Sequence, residues 1–357
     1  MGEATITLDP QALKHNLAAI THLAPSAEVL AMVKANAYGH GMVDIATMLA
    51  NDVAYLGVAT LAEGRQLSQQ LPSSRPAIVV MRGPRSKADA LRLVQHNLHC
   101  VIHHIEQLTW LEDLPTQSLT VWLKINSGMN RLGIRPAEVA DVLGQLQQID
   151  AIQDIKLMSH LGTANEIHSD QMTAQVAAFA ESTQAYTLQT SLANSAALLQ
   201  HPQTHRDIVR PGLMIYGIST LAAASALALK PVMTFSAPII DIQTLHPGEW
   251  VGYGATWQAT RPTRIATVGA GYANGYPMHM PSGAPVLVNG RRAQTVGQVS
   301  MDMLAIDITD FDNIQLGEPV ILWGKGLPIE TIAKHANMSP YALATGARGT
   351  IYVNSDT

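Results

Sequence analysis

Residues 29–41 read VLAMVKANAYGHG, an apolar run that ends at Lys34 and passes directly into a polar loop containing glycine. A short apolar run bounded by turn-forming residues is typical of a buried strand. If the strand belongs to a parallel barrel, its carboxyl end faces the active site. There the apolar interior lowers the pKa of Lys34, which suits Schiff-base chemistry. On this segment alone, a lysine whose amine reaches solvent is an equal alternative.

The same pattern of apolar run and following helix recurs along the first 216 residues. We predict eight strands, at residues 29–33, 54–58, 77–81, 99–102, 119–125, 155–160, 188–192 and 208–215. Strands that alternate with helices imply a parallel sheet, and eight repeats favour a closed (β/α)8 barrel. An open doubly wound sheet is the alternative, but its typical early G-x-G-x-x-G turn is absent.

Beyond about residue 230 the chain changes to short strands separated by glycine and proline turns. We predict strands at 264–268, 285–288, 304–308 and 319–322, and one helix at 328–336. The predicted fold is therefore α/β, with an N-terminal (β/α)8 TIM-type barrel over residues 9–228 and a C-terminal mostly β domain over residues 229–357. A strand at residues 3–8 is assigned to the second domain.

Composition limits the possible partners and the compartment. The 357 residues carry a net charge of −5, so no basic field exists to bind nucleic acid or an anionic membrane. Cys100 is the single cysteine, which excludes an intrachain disulfide and fits the cytoplasm. The start of the chain lacks the pattern of a signal peptide. The uncharged stretch 211–229 is too interrupted for a membrane span and is interpreted as a buried strand followed by a connector.

Histidine is unusually frequent, with 14 residues in the chain. The densest group surrounds Cys100 and consists of His96, His99, His103 and His104. These residues lack the paired spacing of a zinc site and fall on a predicted helix end and strand. We therefore predict no metal site.

Several longer motifs accompany the lysine segment: KINSGMNRLG, IVRPGLMIYG, VGYGATW, GYANGYP and GQVSMDM. In this order, along nearly the whole chain, the set resembles the alanine racemase family, and AMVKANAYGHG resembles its pyridoxal-phosphate signature. The resemblance implies an isomerase that interconverts L- and D-alanine and supplies D-alanine for peptidoglycan. It also implies a homodimer whose active sites are shared between subunits.

The resemblance assigns the cofactor contacts. Lys34 carries pyridoxal 5'-phosphate covalently, Arg210 faces the pyridine nitrogen, and His160 lies over the ring and links Arg210 to a catalytic tyrosine. The phosphate is expected to bind Tyr38, Ser195, Gly212 and Leu213, with Asn194 beside them. The positions after the seventh and eighth predicted strands agree with the usual phosphate sites of barrels. Without this context, Ser195 would equally be read as a helix cap.

Racemisation needs one proton-transferring group on each face of the reacting carbon. The resemblance assigns Lys34 to the D-isomer and Tyr253 to the L-isomer, and a tyrosine acting as a base needs cationic neighbours. It further implies that Lys124 is carbamylated. Arg131 then contacts the cofactor's phenolic oxygen and the substrate carboxylate, and Met301 and Asp302 of a partner subunit contact the substrate. Candidates for the entrance lining are Tyr272 and Tyr276.

Two alternatives to alanine racemisation remain. The first is a serine or broad-specificity amino-acid racemase, because residues 341–349 form a segment about three residues shorter than the family pattern, which leaves the residue near the phosphate unidentified. The second is a non-catalytic pyridoxal-phosphate carrier, although such proteins lack a second domain.

Overall fold

The chain begins with strand β1 (Thr5–Leu8) and helix α1 (Pro10–Leu23) and then enters a barrel of eight parallel strands. The barrel strands are β2 (Glu28–Met32), β3 (Tyr55–Val58), β4 (Ala77–Val80), β5 (Leu98–Ile102), β6 (Leu119–Lys124), β7 (Ile152–Met158), β8 (Thr190–Asn194) and β9 (Ile208–Arg210). The barrel closes because β2 pairs in parallel with both β3 and β9. The structure is a computed structural model that describes residues 3–219, 221 and 227–354.

Helical segments connect the barrel strands. They are α2 (Lys34–Tyr38), α3 (Met42–Leu49), α4 (Leu61–Gln70), α5 (Lys87–Gln95), α6 (Glu106–Thr109), α7 (Val139–Leu146), α8 (Asp170–Thr183) and α9 (Ser195–Gln200). The capping residue of α4 is Thr60, whose hydroxyl accepts a hydrogen bond from the Glu63 amide while the Glu63 carboxylate accepts one from the Thr60 amide. This reciprocal pair fixes where α4 begins, directly after β3.

The second half of the chain builds a sheet of eight strands that also recruits β1. Its strands and the small hairpin beside it are β10 (Met233–Leu245), β11 (Trp250–Val251), β12 (Trp257–Gln258), β13 (Thr263–Val268), β14 (Pro285–Val288), β15 (Arg291–Val296), β16 (Leu304–Asp307), β17 (Pro319–Trp323) and β18 (Thr350–Val353). Two helices, α10 (Ile329–His335) and α11 (Pro340–Gly346), precede β18. A closed parallel barrel followed by a mostly β unit confirms the predicted fold class.

Some predicted elements differ from the observed ones. The strand predicted at 208–215 ends at Arg210, since Pro211 has no amide hydrogen to continue a strand ladder, and Leu213–Tyr216 forms a 3-10 helix. The strand predicted at 155–160 runs instead from Ile152 to Met158. The connector predicted within 211–229 includes residues 220 and 222–226, which lie outside the described residues. In the ranges that the structure covers, no helix has the length and apolar character needed to cross a membrane.

Candidate active site

The carboxyl ends of the barrel strands surround a cavity of about 810 Å³. Most of the residues predicted for the site line it: Lys34, Tyr38, Lys124, Arg131, His160, Asn194, Ser195, Arg210 and Gly212. Leu213 lies in the wall of an adjoining cavity of about 260 Å³, which it shares with Asn194 and Ser195. Side chains from several different strand ends therefore meet at one place, as is typical of active sites in this fold.

Lys34 leads into an unusual backbone segment. The four residues Ala35 to Tyr38 all have a φ of 52° or 53°, so α2 is a left-handed turn. For residues other than glycine, this conformation costs about 1–2 kcal/mol each, so surrounding contacts must hold it. Burial is the main cause that lowers the pKa of the Lys34 amine, and the positive charge of Arg131 lowers it further. The Glu63 carboxylate raises this pKa in part, against the smaller lowering by Arg210 and Arg82. The amine is thus available as a free base at a lower pH than an ordinary lysine.

His40 holds the far end of this turn. It is fully buried, and its Nδ1 donates hydrogen bonds to the carbonyl oxygens of Ala37 (3.0 Å) and Tyr38 (3.1 Å). Its ring also packs against Tyr216, with 4.4 Å between ring centroids. Burial lowers the pKa of His40 from 6.5 to about 4, so the ring is neutral in the folded protein at neutral pH.

The buried neutral His40 predicts a stability loss in acid. Its stabilising contribution is complete above the unfolded pKa of about 6.5 and is lost as the pH falls toward the folded pKa, because the unfolded chain takes up the proton first. His40→Asn keeps a donor but does not titrate. Between about pH 7 and about pH 4.5, we expect wild type to lose about 2 kcal/mol more unfolding free energy than this variant. Urea denaturation at both pH values measures the difference; equal losses would contradict the assignment.

Ser195, Gly212 and Tyr38 form a small polar cradle beside the cavity. The Gly212 amide donates a hydrogen bond of 2.8 Å to Ser195 Oγ. A side chain at Gly212 would collide with the cradle, since an added Cβ would lie 2.7 Å from Tyr38 Oη. Asn194 caps α9 by accepting a hydrogen bond from the Ala197 amide. Hydroxyl and amide groups that approach one another this closely could hold an anion of phosphate size.

Arg210 is buried, with 4% of its surface exposed, and no carboxylate of the described residues forms an ion pair with it. Its guanidinium donates to Ser191 Oγ (2.6 Å) and to the carbonyl oxygens of Leu192 (3.2 Å) and Ser159. Burial lowers the pKa of Arg210 to about 10. A planar cation fixed in this way presents a donor that does not easily lose its proton.

His160 lies in the same cavity wall as Arg210. Burial, followed by the charges of Arg210 and Lys124, lowers the pKa of His160 to about 3, so the ring is neutral. Among the described residues, no hydrogen bond joins the His160 ring to Arg210. The link from Arg210 through His160 to a catalytic tyrosine therefore stays a prediction.

Lys124 ends β6 inside the cavity and has only 8% of its surface exposed. Burial lowers the pKa of its amine to about 8, and Arg210 and Arg131 act in the same direction. Among the ion pairs of the described residues, none neutralises Lys124 or Arg131. The positive charges of Lys124 and Arg131 are therefore not balanced by an ion pair, and a negative group in the site would compensate them.

The predicted residues of the second domain do not reach this cavity. Tyr253 lies between β11 and β12 and is 71% exposed, and Met301 is 59% exposed, with Asp302 exposed beside it. Tyr272 is 37% exposed, whereas Tyr276 is buried and stacks on Trp323. The structure therefore places Tyr272, and not Tyr276, on the surface of the chain.

The histidines around Cys100 are dispersed by the fold. Cys100 is buried within β5, and His99 Nδ1 accepts a hydrogen bond of 3.3 Å from the Trp122 indole. His103 Nε2 bonds to the Arg82 carbonyl. Across the described ranges, no group of three or more His, Cys, Asp or Glu side chains is placed to hold a metal ion.

Among the residues of the cavity wall that the sequence did not predict for the site, three are ionisable: Glu63, Arg82 and Tyr341. The Tyr341 ring, on α11, lies 6.1 Å from the Tyr38 ring, so this residue of the C-terminal segment closes the cradle from outside. The spacing Thr60-x-x-Glu63 was the available signal for Glu63, because it is the pattern of a capping box. For Tyr341 the signal was its place at the start of the shortened segment 341–349, which the sequence analysis left without an assigned phosphate contact. Nothing local to Arg82 marks it.

Family models match both halves of the chain. The model described as alanine racemase, N-terminal domain, covers residues 8–220, and the one described as alanine racemase, C-terminal domain, covers residues 232–353. The chain belongs to the alanine racemase family. The resemblance inferred from the motifs is thereby confirmed.

Individual relatives of the alanine racemase family agree over nearly the full length. An alanine racemase of Nitrosospira multiformis is 42% identical over 340 residues, 94% of each chain. The crystal structure of the biosynthetic alanine racemase from Pseudomonas aeruginosa has a TM-score of 0.91 at 38% identity and covers 99% of this chain and 100% of its own. The alanine racemase of Bartonella henselae, solved with covalently bound pyridoxal phosphate, has a TM-score of 0.86 at 26% identity, with 99% and 100% coverage.

Proposed function

We propose that this chain interconverts L- and D-alanine with pyridoxal 5'-phosphate held at the barrel mouth through Lys34. The observation that carries this proposal is the meeting of Lys34, the Ser195–Gly212 cradle and the buried Arg210 in one cavity of a chain of this family. In the cell, we propose a cytoplasmic enzyme that supplies D-alanine for peptidoglycan. We place the domain division at residues 228 and 229, with residues 3–8 in the second domain.

The residues present fit the cofactor. A partly buried lysine with a lowered pKa can attack its aldehyde, and the cradle of Tyr38, Ser195 and Gly212 can take its phosphate. Arg210 would face the ring nitrogen, and the neutral His160 would lie over the ring. When bound, pyridoxal phosphate withdraws electrons from the α carbon of the amino acid and so makes its proton easier to remove.

Two groups of the protein are proposed to move the proton. From D- to L-alanine, Lys34 Nζ takes the α proton from one face and the Tyr253 hydroxyl gives a proton to the opposite face. From L- to D-alanine the roles reverse, so that deprotonated Tyr253 takes the proton and the Lys34 ammonium gives one. Because Tyr253 is exposed and lies outside the cavity of its own chain, we propose a homodimer in which Tyr253 enters the partner's cavity. Met301 and Asp302 would arrive with it, and Arg131 would bind the substrate carboxylate.

Exchange of the α proton of alanine in D₂O tests this function. We expect deuterium at the α carbon of both enantiomers, together with loss of optical rotation from either pure isomer. A pyridoxal-phosphate carrier would give neither signal. Comparison of L-alanine with L-serine in the same assay tests the alternative of a serine or broad-specificity racemase. A clear preference for serine would overturn the assignment of alanine as the substrate.

Lys124 is proposed to carry a carbamate. A buried amine with a pKa of about 8 can be deprotonated near neutral pH and can then take up carbon dioxide. The product is an anion, which would balance the surrounding cations and anchor Arg131. In ¹³C-bicarbonate, we expect a protein-bound carbamate resonance that is absent from Lys124→Ala. The exposed Lys14→Ala is the control that keeps the signal. A wild-type spectrum without the resonance would contradict the proposal.

A further inference from the structure

Glu63 occupies an unusual electrostatic position in the barrel mouth. Among the described residues that line the cavity, it is the one carboxylate, and the basic side chains there are Lys34, Arg82, Lys124, Arg131 and Arg210. Yet within the part of the chain that the structure describes, its oxygens accept hydrogen bonds from no basic side chain: each bond comes from a backbone amide or a hydroxyl. The position of the Glu63 carboxylate in the cavity is therefore fixed mainly by its hydrogen bonds to backbone amides.

The Glu63 carboxylate joins two loops that follow neighbouring barrel strands. On one side, Oε1 accepts a hydrogen bond of 2.8 Å from the Ala35 amide, directly after Lys34. On the other side, Oε2 accepts bonds of 2.8 Å and 2.9 Å from the amides of Ala59 and Thr60, and one of 3.1 Å from the Thr60 hydroxyl. Bonds to an ionised acceptor are stronger than neutral ones, so this carboxylate is a firm connection between β2 and α4.

Glu63 contacts the backbone at the start of the left-handed turn. Ala35 is the first residue of the left-handed turn, and its amide belongs to the peptide group that follows the Lys34 Cα. The far end of the turn is held by His40 through the carbonyls of Ala37 and Tyr38. A segment in a sparsely populated conformation persists only when the contacts around it hold it in place. At the Lys34 end, Glu63 is the side chain that provides such a contact among the described residues.

We propose that Glu63 is a positioning residue: its carboxylate clamps the Lys34–Ala35 peptide to the start of α4 and thereby orients Lys34 into the cavity. This inference rests on the proposed function, which assigns the cofactor linkage to Lys34. The helix cap alone does not account for the contact, because capping α4 requires the Thr60 amide but not the Ala35 amide.

Backbone hydrogen exchange in Glu63→Gln tests the clamp directly. The amide side chain loses the charge and one acceptor oxygen, so we expect the peptide covering residues 34–40 to exchange about tenfold faster or more than in wild type. We also expect kcat to fall about tenfold or more while KM for alanine changes little, since the variant misplaces Lys34 without removing a substrate contact. Glu63→Asp keeps the charge but shortens the side chain by one methylene. We expect it to raise the exchange of residues 34–40 and to lower kcat in the same direction as Glu63→Gln, but by less.

Two controls separate the clamp from ordinary capping. Thr60→Ala weakens the α4 cap and removes the hydroxyl bond to Glu63, but the amides of Ala35, Ala59 and Thr60 still donate to the carboxylate. The exchange of residues 34–40 is therefore expected to stay much nearer the wild-type rate than in Glu63→Gln. Glu138→Gln removes a carboxylate that accepts a bond from the Arg135 amide outside the cavity, and both activity and exchange are expected to remain unchanged.

Unchanged exchange and activity in both Glu63 variants would overturn the clamp, as would an increase of equal size in Thr60→Ala. Exchange is measured without substrate, so it reports on the clamp even if Lys34 has another role. If Lys34→Ala kept racemase activity, the proposed cofactor linkage through Lys34 would fail while the exchange result stood. If the wild-type chain gave no α-proton exchange with alanine, the proposed function itself would fail, and the exchange result would again stand.

Discussion

Lys34→Ala is expected to lower kcat for alanine racemisation by about 10⁴-fold or more. The variant loses the amine that is proposed to hold the cofactor and also one of the two proton-transferring groups, and loss of either alone costs about 10²–10⁴-fold. The visible absorbance of the lysine–cofactor linkage, and its removal by borohydride, are expected to disappear as well. Racemase activity is followed by optical rotation with each enantiomer as substrate.

The exposed Lys14→Ala, on α1, is the matched control for Lys34→Ala and is expected to behave as wild type. The left-handed turn is held by the hydrogen bonds from the Ala35 amide to Glu63 and from His40 Nδ1 to the Ala37 carbonyl, which the substitution leaves in place. We therefore expect Lys34→Ala to fold, and far-UV circular dichroism checks this. Substantial racemisation by a folded Lys34→Ala protein would show that another group carries the reaction.

Tyr253→Phe is expected to lower kcat in both directions by about 10²–10⁴-fold, since each turnover needs a proton transfer on both faces of the α carbon. Exchange of the α proton with solvent is expected to be lost for one enantiomer only. With Lys34 intact, D-alanine continues to gain α deuterium from D₂O, whereas exchange from L-alanine almost stops. The change removes a single oxygen from an exposed ring, so little effect on stability is expected.

Tyr352→Phe is the control for Tyr253→Phe, because it removes the hydroxyl of another exposed tyrosine, on β18. We expect wild-type activity from it. Equal loss of exchange from both enantiomers in Tyr253→Phe would argue that the tyrosine orients the substrate instead of transferring the proton.

The barrel was predictable because its strands are buried on both faces. The run Val29 to Met32 is continuously apolar, as is β4, and β6 is apolar apart from Thr120 and its final Lys124. Their length and flanking helices identified these strands. The long strand β10 was not predicted, since Pro238 interrupts it and its second half carries the polar residues Asp241, Gln243 and Thr244. Its order depends on pairing with β1, β13 and β17, which lie far away in sequence.

The site was predictable where chemistry and strand ends coincide. Lys34, Lys124 and Arg210 are charged residues at the ends of apolar strands, where the carboxyl end of a barrel strand places a side chain in the active site. The contact between Glu63 and Ala35 joins residues 28 positions apart and forms only when two loops meet. The position of Tyr253 could not be derived either, because within one chain it faces solvent.

Mixing the two inactive variants tests the shared site most directly. In a heterodimer of Lys34→Ala and Tyr253→Phe subunits, one site loses both groups and the other keeps both. With random exchange, half of the dimers are mixed, and each has one intact site, so we expect about a quarter of wild-type activity to return. Differently tagged subunits confirm that heterodimers have formed. If verified heterodimers show no recovery, Lys34 and Tyr253 do not act together across the interface.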